Sequence, residues 1–298
     1  MILITGATGF IGKNLINALP RKNNVKILAR DPIKAKNLFP DLEIVKGDIA
    51  TGKGIKEALE DVSIVIHLAG MVSYSKPREE LFRINVTGTR NLLRYCDNVK
   101  RFIFSSSVSV YGPIETKANE NHRTNPVNPY GESKLEAEKL VKDSGISHVI
   151  LRIAPVYGVG SPSWIKNLKL LESGFPIPRT KNLTHIVHIS DVVNALKLSM
   201  KKGSGIYNIA DKKPVEFTKF AEMIVKLLGK RPIKVPFWIV KLLAKAKGMD
   251  TYLEVLTMNR NYDITKARRE LGYEPKAVLE KEIRNMVKWY KMSNLKFL

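Results

Sequence analysis

The sequence predicts an α/β fold, a doubly wound parallel sheet with a smaller, mixed α/β lobe at its carboxyl-terminal side. Three observations carry that prediction. The chain opens on an apolar strand that runs straight into three glycines, Gly6, Gly9 and Gly12. Short apolar runs then alternate with helix-patterned segments as far as Ile153, the order a parallel sheet needs because each crossover takes a helix. From Pro155 onward the texture changes to Pro- and Gly-punctuated loops separated by shorter elements.

In chain order, strands are expected at 2–5, 25–29, 43–46, 64–68, 101–105 and 148–153, with helices at 11–19, 33–38, 54–59, 79–97 and 130–144. Beyond them a strand and a helix share 184–200, a strand follows at 205–209, and helices fall at 218–228, 237–247, 264–271 and 280–292. The chain is thus expected to return to the main sheet. Residues 1–153 and 186–210 form the sheet domain, and 154–185 and 211–298 the second lobe.

A chain of 298 residues, 44% apolar, can bury a sizeable core. No apolar run approaches the span of a bilayer and no charged leader precedes a cleavage site, so a cytoplasmic protein is expected. The single Cys96 excludes an internal disulfide and a multi-cysteine metal site, and its helical setting suits a small core residue. The net charge of +22 is uneven. Residues 1–150 carry 22 Lys/Arg against 16 Asp/Glu, and residues 151–298 carry 28 against 12. Such a field attracts anions, but aromatics are not interleaved with the basic residues and no nucleic-acid module is present, so no nucleic-acid partner is expected.

Chemistry is suggested by three features that all fall at strand ends, where ligands of doubly wound sheets sit. The glycine turn leads into a helix whose first N–H groups and dipole suit a dinucleotide diphosphate. A hydroxyl cluster, Ser105-Ser106-Ser107 with Ser109, ends the strand that starts at Arg101. Tyr130 and Lys134 stand four apart on a helix and share a face, where an ammonium lowers the pKa of a neighbouring phenol. Each alone is commonplace, and their joint occurrence is not.

Together these motifs resemble the extended short-chain dehydrogenase/reductase superfamily, in its branch of NAD(P)-dependent sugar-nucleotide epimerases and dehydratases. The resemblance spans essentially the whole chain and implies a Rossmann domain. Gly6, Thr8, Gly9, Phe10, Ile11 and Gly12 match its pyrophosphate turn, and Asp48 and Ile49 the turn beside the adenine. Leu68, Ala69 and Gly70, following His67, match a strand end beside the cofactor, and Asn85 a helix signature. Ser107, Tyr130 and Lys134 match the catalytic trio, with Tyr130 and Lys134 also on the cofactor. Ser105, Ala154 and Val156 fall where the nicotinamide is lined. The resemblance further implies a homodimer built from the helices at 79–97 and 130–144.

The pattern departs from the family at three places. At the end of the second strand Arg30 stands where a ribose carboxylate is usual, with Asp31 after it; an arginine suits a 2′-phosphate, so the expectation leans to NADP over NAD. Alternatively, Arg30 stacks on the adenine and Asp31 caps the next helix. Arginines that meet a substrate diphosphate are missing at Thr184 and around Thr251, leaving Arg179, Lys181 and Arg260 as candidates. That loss, with a basic apolar stretch at 236–247 able to shape an apolar pocket or touch a membrane, keeps open an NADP-dependent ketoreductase of a less polar substrate. A non-catalytic dinucleotide-binding scaffold or sensor is a third reading, opposed by the intact trio. His185 and His188 do not make a metal site, and none is expected.

Overall fold

A computed structural model describes residues 1–20 and 24–295. In chain order its strands are β1 (Ile2–Thr5), β2 (Val25–Ala29), β3 (Glu43–Lys46), β4 (Ile64–His67), β5 (Arg101–Ser107), β6 (His148–Ile153), β7 (Val156–Tyr157), β8 (Ile177–Arg179), β9 (Leu183–Thr184), β10 (Val187–His188), β11 (Gly205–Ile209), β12 (Val215–Glu216) and β13 (Lys234–Pro236). The α-helices are α1 (Phe10–Ala18), α2 (Pro32–Leu38), α3 (Ile55–Ala58), α4 (Arg78–Phe82), α5 (Gly88–Leu93), α6 (Pro129–Asp143), α7 (Pro162–Glu172), α8 (Ile189–Ser199), α9 (Phe217–Leu227), α10 (Phe237–Ala246), α11 (Asp250–Thr257) and α12 (Leu279–Leu295).

Seven strands build one sheet in the order β3-β2-β1-β4-β5-β6-β11, every neighbouring pair parallel. This is the doubly wound Rossmann-type arrangement, and the direction of strand order reverses between β1 and β4. Alternate residues point to opposite faces. Ile4, Ile27, Ile66, Ile103 and Leu151 pack on the side of α1 and α8, while Leu3, Leu28, Val65, Phe102, Phe104 and Ile150 pack on the side of α6. Both faces are covered, which explains why these strands read as continuous apolar runs. A further cluster around Trp164, Phe220, Ile224, Met286 and Tyr290 joins α7, α9 and α12. Cys96 is buried and donates from Sγ to Leu92 O at 3.2 Å, and burial pushes its thiol up to about 12.

Three boundaries differ from the sequence expectation in ways that matter for the site. β5 continues past the expected end at Ser105 to Ser107, so Ser106 and Ser107 lie in the strand as well. The helix expected at 79–97 is interrupted by a π-helical turn, Arg83–Thr87, and ends at Leu93. Within 184–200 the extended part is split into β9 and β10, which pair with β12 and β7.

Candidate active site

The first turn is built by close backbone approach. Gly6 has φ +71°, and a Cβ there would lie 2.5 Å from the Ala69 nitrogen; a Cβ on Gly12 would lie 2.5 Å from the Gly6 carbonyl. Gly9 is the N-cap of α1 and brings no side chain to it, and the first intrahelical bond is Lys13 N–H to Gly9 O at 3.0 Å. The N–H groups of Phe10, Ile11 and Gly12 therefore have no partner within the helix. With Thr8 in the same turn, the residues present fit a dinucleotide diphosphate.

Behind this turn the end of β4 is tied down by short polar side chains. Ala69 N–H donates to Thr5 Oγ1 at 3.2 Å, and the Thr5 hydroxyl meets His67 Nδ1 at 2.7 Å. Thr89 donates its proton to Asn85 O at 2.6 Å, so its oxygen accepts from His67 Nε2 at 3.1 Å and Nδ1 is left as acceptor. Burial lowers the His67 pKa to about 3, with the Lys134 charge adding to the shift. Asn85, inside the π-helical turn, accepts from Met71 N–H at 2.7 Å and donates to Met71 O at 3.0 Å and to Ser133 Oγ at 2.9 Å. The loop after Gly70 is thereby clamped to α6.

Asn128 caps α6 through Gly131 N–H at 2.9 Å, fixing the turn that presents Tyr130. Ser107 lies close enough to the Tyr130 phenol to oppose the rise of its pKa, and Tyr74 lies edge-on to its ring at a centroid distance of 6.0 Å. Ser107 donates to Ser109 Oγ at 3.1 Å. The Lys134 ammonium sits 4.1 Å from the Phe104 ring centre, and a Cβ on Gly70 would lie 4.0 Å from its Nζ. Ser107, Tyr130 and Lys134 are thus gathered where β4, β5 and α6 converge. The expected lowering of the phenol pKa by Lys134 is not what the protein alone produces. Burial raises Tyr130, with Tyr74 adding and Ser107 opposing; burial also lowers Lys134 to about 7, opposed by Glu138. Desolvation penalises the charged form of each.

Sequence reasoning passed over the support beneath this trio. Glu138, fully buried one turn beyond Lys134, accepts from Arg152 at 2.7–3.2 Å and from Ser106 Oγ at 2.5 Å. Burial pulls the Arg152 pKa down but Glu138 more than offsets it, so the guanidinium stays charged. The signal was the spacing of Tyr130, Lys134 and Glu138 on one helical face. Ser133, also missed, donates to Tyr130 O at 2.8 Å.

The other candidates are placed less tightly. Ile49 is buried against Gly88, and its carbonyl accepts from Asn91 Nδ2 at 2.8 Å. Asp48 Oδ1 accepts from Ala50 N–H at 2.8 Å, closing its own turn. Leu68 N–H donates to Thr5 O at 3.2 Å, next to the glycine turn, and Ser105 pairs in register with Leu151. Ala154 is buried with its N–H on Ile209 O at 2.9 Å, and Val156 O accepts from Trp164 Nε1 at 3.0 Å. Asp31 caps α2 through Lys34 N–H at 2.9 Å, whereas Arg30 is exposed. Arg260 donates to the carbonyls of Val255, Leu256 and Met258. His185 accepts from Tyr262 N–H at Nδ1, 3.0 Å, and so donates from Nε2 to Asp211 O at 2.8 Å. His188 caps α8. Among the described residues no three His, Cys, Asp or Glu gather to hold a metal, and no helix is long and apolar enough to cross a membrane.

Comparison with known proteins agrees with this geometry. Residues 2–210 match the model of the NAD dependent epimerase/dehydratase family. Over 320 aligned residues the chain is 30% identical to the UDP-glucose 4-epimerase of Vibrio cholerae, covering 98% of this chain and 96% of that protein. It is also 30% identical to a putative UDP-glucose 4-epimerase of Methanocaldococcus jannaschii, with 99% of each covered. The solved structure of MoeE5 in complex with UDP-glucuronic acid and NAD superposes with a TM-score of 0.80 at 28% identity, covering 98% of this chain and 99% of that one. A sheet that reverses strand order beside a glycine turn, a Ser-Tyr-Lys cluster at that reversal and a family match through β11 have one common explanation: the chain is an enzyme of the NAD dependent epimerase/dehydratase family.

Proposed function

We propose that this enzyme oxidises a hydroxyl-bearing carbon of a nucleotide-linked sugar and returns the hydride in the same active-site visit, as an epimerase or dehydratase does. The observation that carries the reading is the gathering of Ser107, Tyr130 and Lys134 where β4, β5 and α6 converge, with Lys134 beside Gly70 just past the end of the strand that neighbours the glycine turn. The similarity to enzymes whose names specify UDP-sugars supports the substrate class. A nicotinamide dinucleotide, when bound, supplies the hydride acceptor. Its diphosphate would rest on the N–H groups of α1, with Gly70 and Asn85 behind its ribose and Ser105, Ala154 and Val156 on the nicotinamide side.

In this mechanism Tyr130 takes the proton of the substrate hydroxyl as hydride leaves the same carbon, and gives it back when the carbonyl is reduced. Ser107 donates to the substrate oxygen. Lys134, near 7, is close to balance between its forms, so protonating it provides the charge that a Tyr130 phenolate needs. Within the lobe of residues 154–185 and 211–298, Arg179 and Lys181 are the exposed cations nearest in sequence to the missing arginine and would meet the substrate diphosphate. Exposed Arg30 supports NADP preference, whereas the similar MoeE5 structure holds NAD. A cytoplasmic homodimer paired through 78–93 and α6 belongs to the same proposal.

The reading is tested by denaturing freshly purified protein and identifying the released small molecules. Retained dinucleotide supports an enzyme that recycles its cofactor; an empty site that exchanges NADPH at each turnover would move it to the ketoreductases. Tyr130→Phe should lower turnover about 10²- to 10⁴-fold with dinucleotide affinity unchanged. Unchanged turnover in this variant would remove Tyr130 from the mechanism.

A further inference from the structure

Helix α10 buries Val240 and Ala244 and turns Trp238 and Leu242 outward, 67% and 64% exposed. These two residues stand four apart, on one face. Ile233, just before β13, is 54% exposed, and Leu243 is exposed beside Leu242. A folded domain gains nothing by leaving a Trp and three large aliphatics in water, and such a patch with a polar rim marks a contact surface.

The rim has one sign of charge. Residues 229–249 contain six Lys or Arg and no Asp or Glu. Lys241 pairs with Glu254 at 3.1 Å and Lys234 with Glu222 at 3.3 Å. Lys230, Arg231, Lys245 and Lys247 are exposed and form no ion pair among the described residues. Ten residues give a helix about 15 Å long, half a bilayer core, so α10 cannot span one; it has the make-up of a helix that lies in the interface with its apolar side chains down and its lysines at the headgroups. An acidic protein partner would satisfy the same lysines, and it is the occupant left if the vesicles below do not bind.

We propose that α10, with the approach at 230–233, is a docking surface for an anionic lipid bilayer. The surface is connected to the active site through few steps. α10 packs on α11, where the Tyr252 hydroxyl bonds Asn167 of α7. Tyr252 also interacts electrostatically with Tyr74, the residue edge-on to Tyr130. Docking would hold the substrate lobe at the membrane, where a sugar that is built onto or taken from a lipid is exchanged. The proposal is independent of the choice of reaction above.

The full chain is sedimented with vesicles of phosphatidylcholine alone and of phosphatidylcholine with phosphatidylglycerol. Binding to the mixed vesicles only is the expected result. Because a chain of net charge +22 can adhere to anions nonspecifically, the deciding comparison is Trp238→Ser with Leu242→Ser. This pair should weaken vesicle binding about tenfold or more while leaving dinucleotide binding and turnover intact, and Lys245→Glu with Lys247→Glu should do the same. Absence of binding, or binding undiminished by the serine pair, overturns the proposal. A wild-type dimer that becomes monomeric in the serine pair would also overturn it and assign the face to a second copy.

Discussion

The converging ends of β4, β5 and α6, the candidate active site, and helix α10, the proposed docking surface, are made in opposite ways. At the first, the polar groups are inside: His67, Thr89, Asn85, Ser133, Glu138 and Arg152 are all buried and all hydrogen-bonded. At the second, the apolar groups are outside and the ion pairs are exposed. A buried network fixes its members because an unmade bond there is expensive, whereas an exposed ion pair is worth about 0–1 kcal/mol and fixes little. The candidate active site is therefore held by its buried network, whereas the exposed side chains of α10 are held by little.

The comparison is broken most severely by removing half of the buried ion pair. Arg152→Met leaves the Glu138 charge uncompensated and should cost about 3–5 kcal/mol in urea unfolding, while Arg152→Met with Glu138→Leu should recover much of it. A loss within about 0.5 kcal/mol would show that the pair is not what orders this end of the sheet. Gly12→Ala comes next, because the added Cβ meets only backbone, at 2.5–2.7 Å. We expect about 1–3 kcal/mol of destabilisation and lost dinucleotide affinity, read by titration.

Acid should act chiefly through the buried histidines, offset in part by Asp211, whose carboxyl burial pushes up to about 7 and which therefore favours the folded state as pH falls below that value. His67 is held at about 3 and His185 at about 4, below their ordinary 6.5. Lowered folded-state values mean that the unfolded chain binds protons first, so this stability is complete above pH 6.5 and is lost as pH falls toward 3. Each group contributes a slope of up to about 1.4 kcal/mol per pH unit within that window, and a flat unfolding free energy from pH 6.5 to 5 would refute it. Trp238→Ala should change stability by less than about 0.5 kcal/mol, the smallest effect and the one that separates a surface helix from a structural one.

The legible part of the site was the part written in local spacing. Gly6, Gly9 and Gly12 could be recognised because a tight turn excludes side chains, and Tyr130 with Lys134 because a helix repeats every 3.6 residues. Glu138 continues the same face and was readable by the same rule, but its partner Arg152 lies on strand β6 and its role depends on burial that spacing does not report. Ser106 and Ser107 were expected just past a strand ending at Ser105, and pairing with β6 draws them into it.

The sequence by itself determined the alternation of strand and helix, the glycine turn and the residue types at the catalytic end, since each follows from backbone sterics or a local period. Only the tertiary structure decided that His67 is neutral, that Asp31 is spent on capping α2 and Arg260 on the end of α11, and that burial drives Tyr130 and Lys134 toward uncharged forms. Those outcomes depend on which atoms exclude water and which carbonyls lie in reach, and both are properties of segments far apart in the chain.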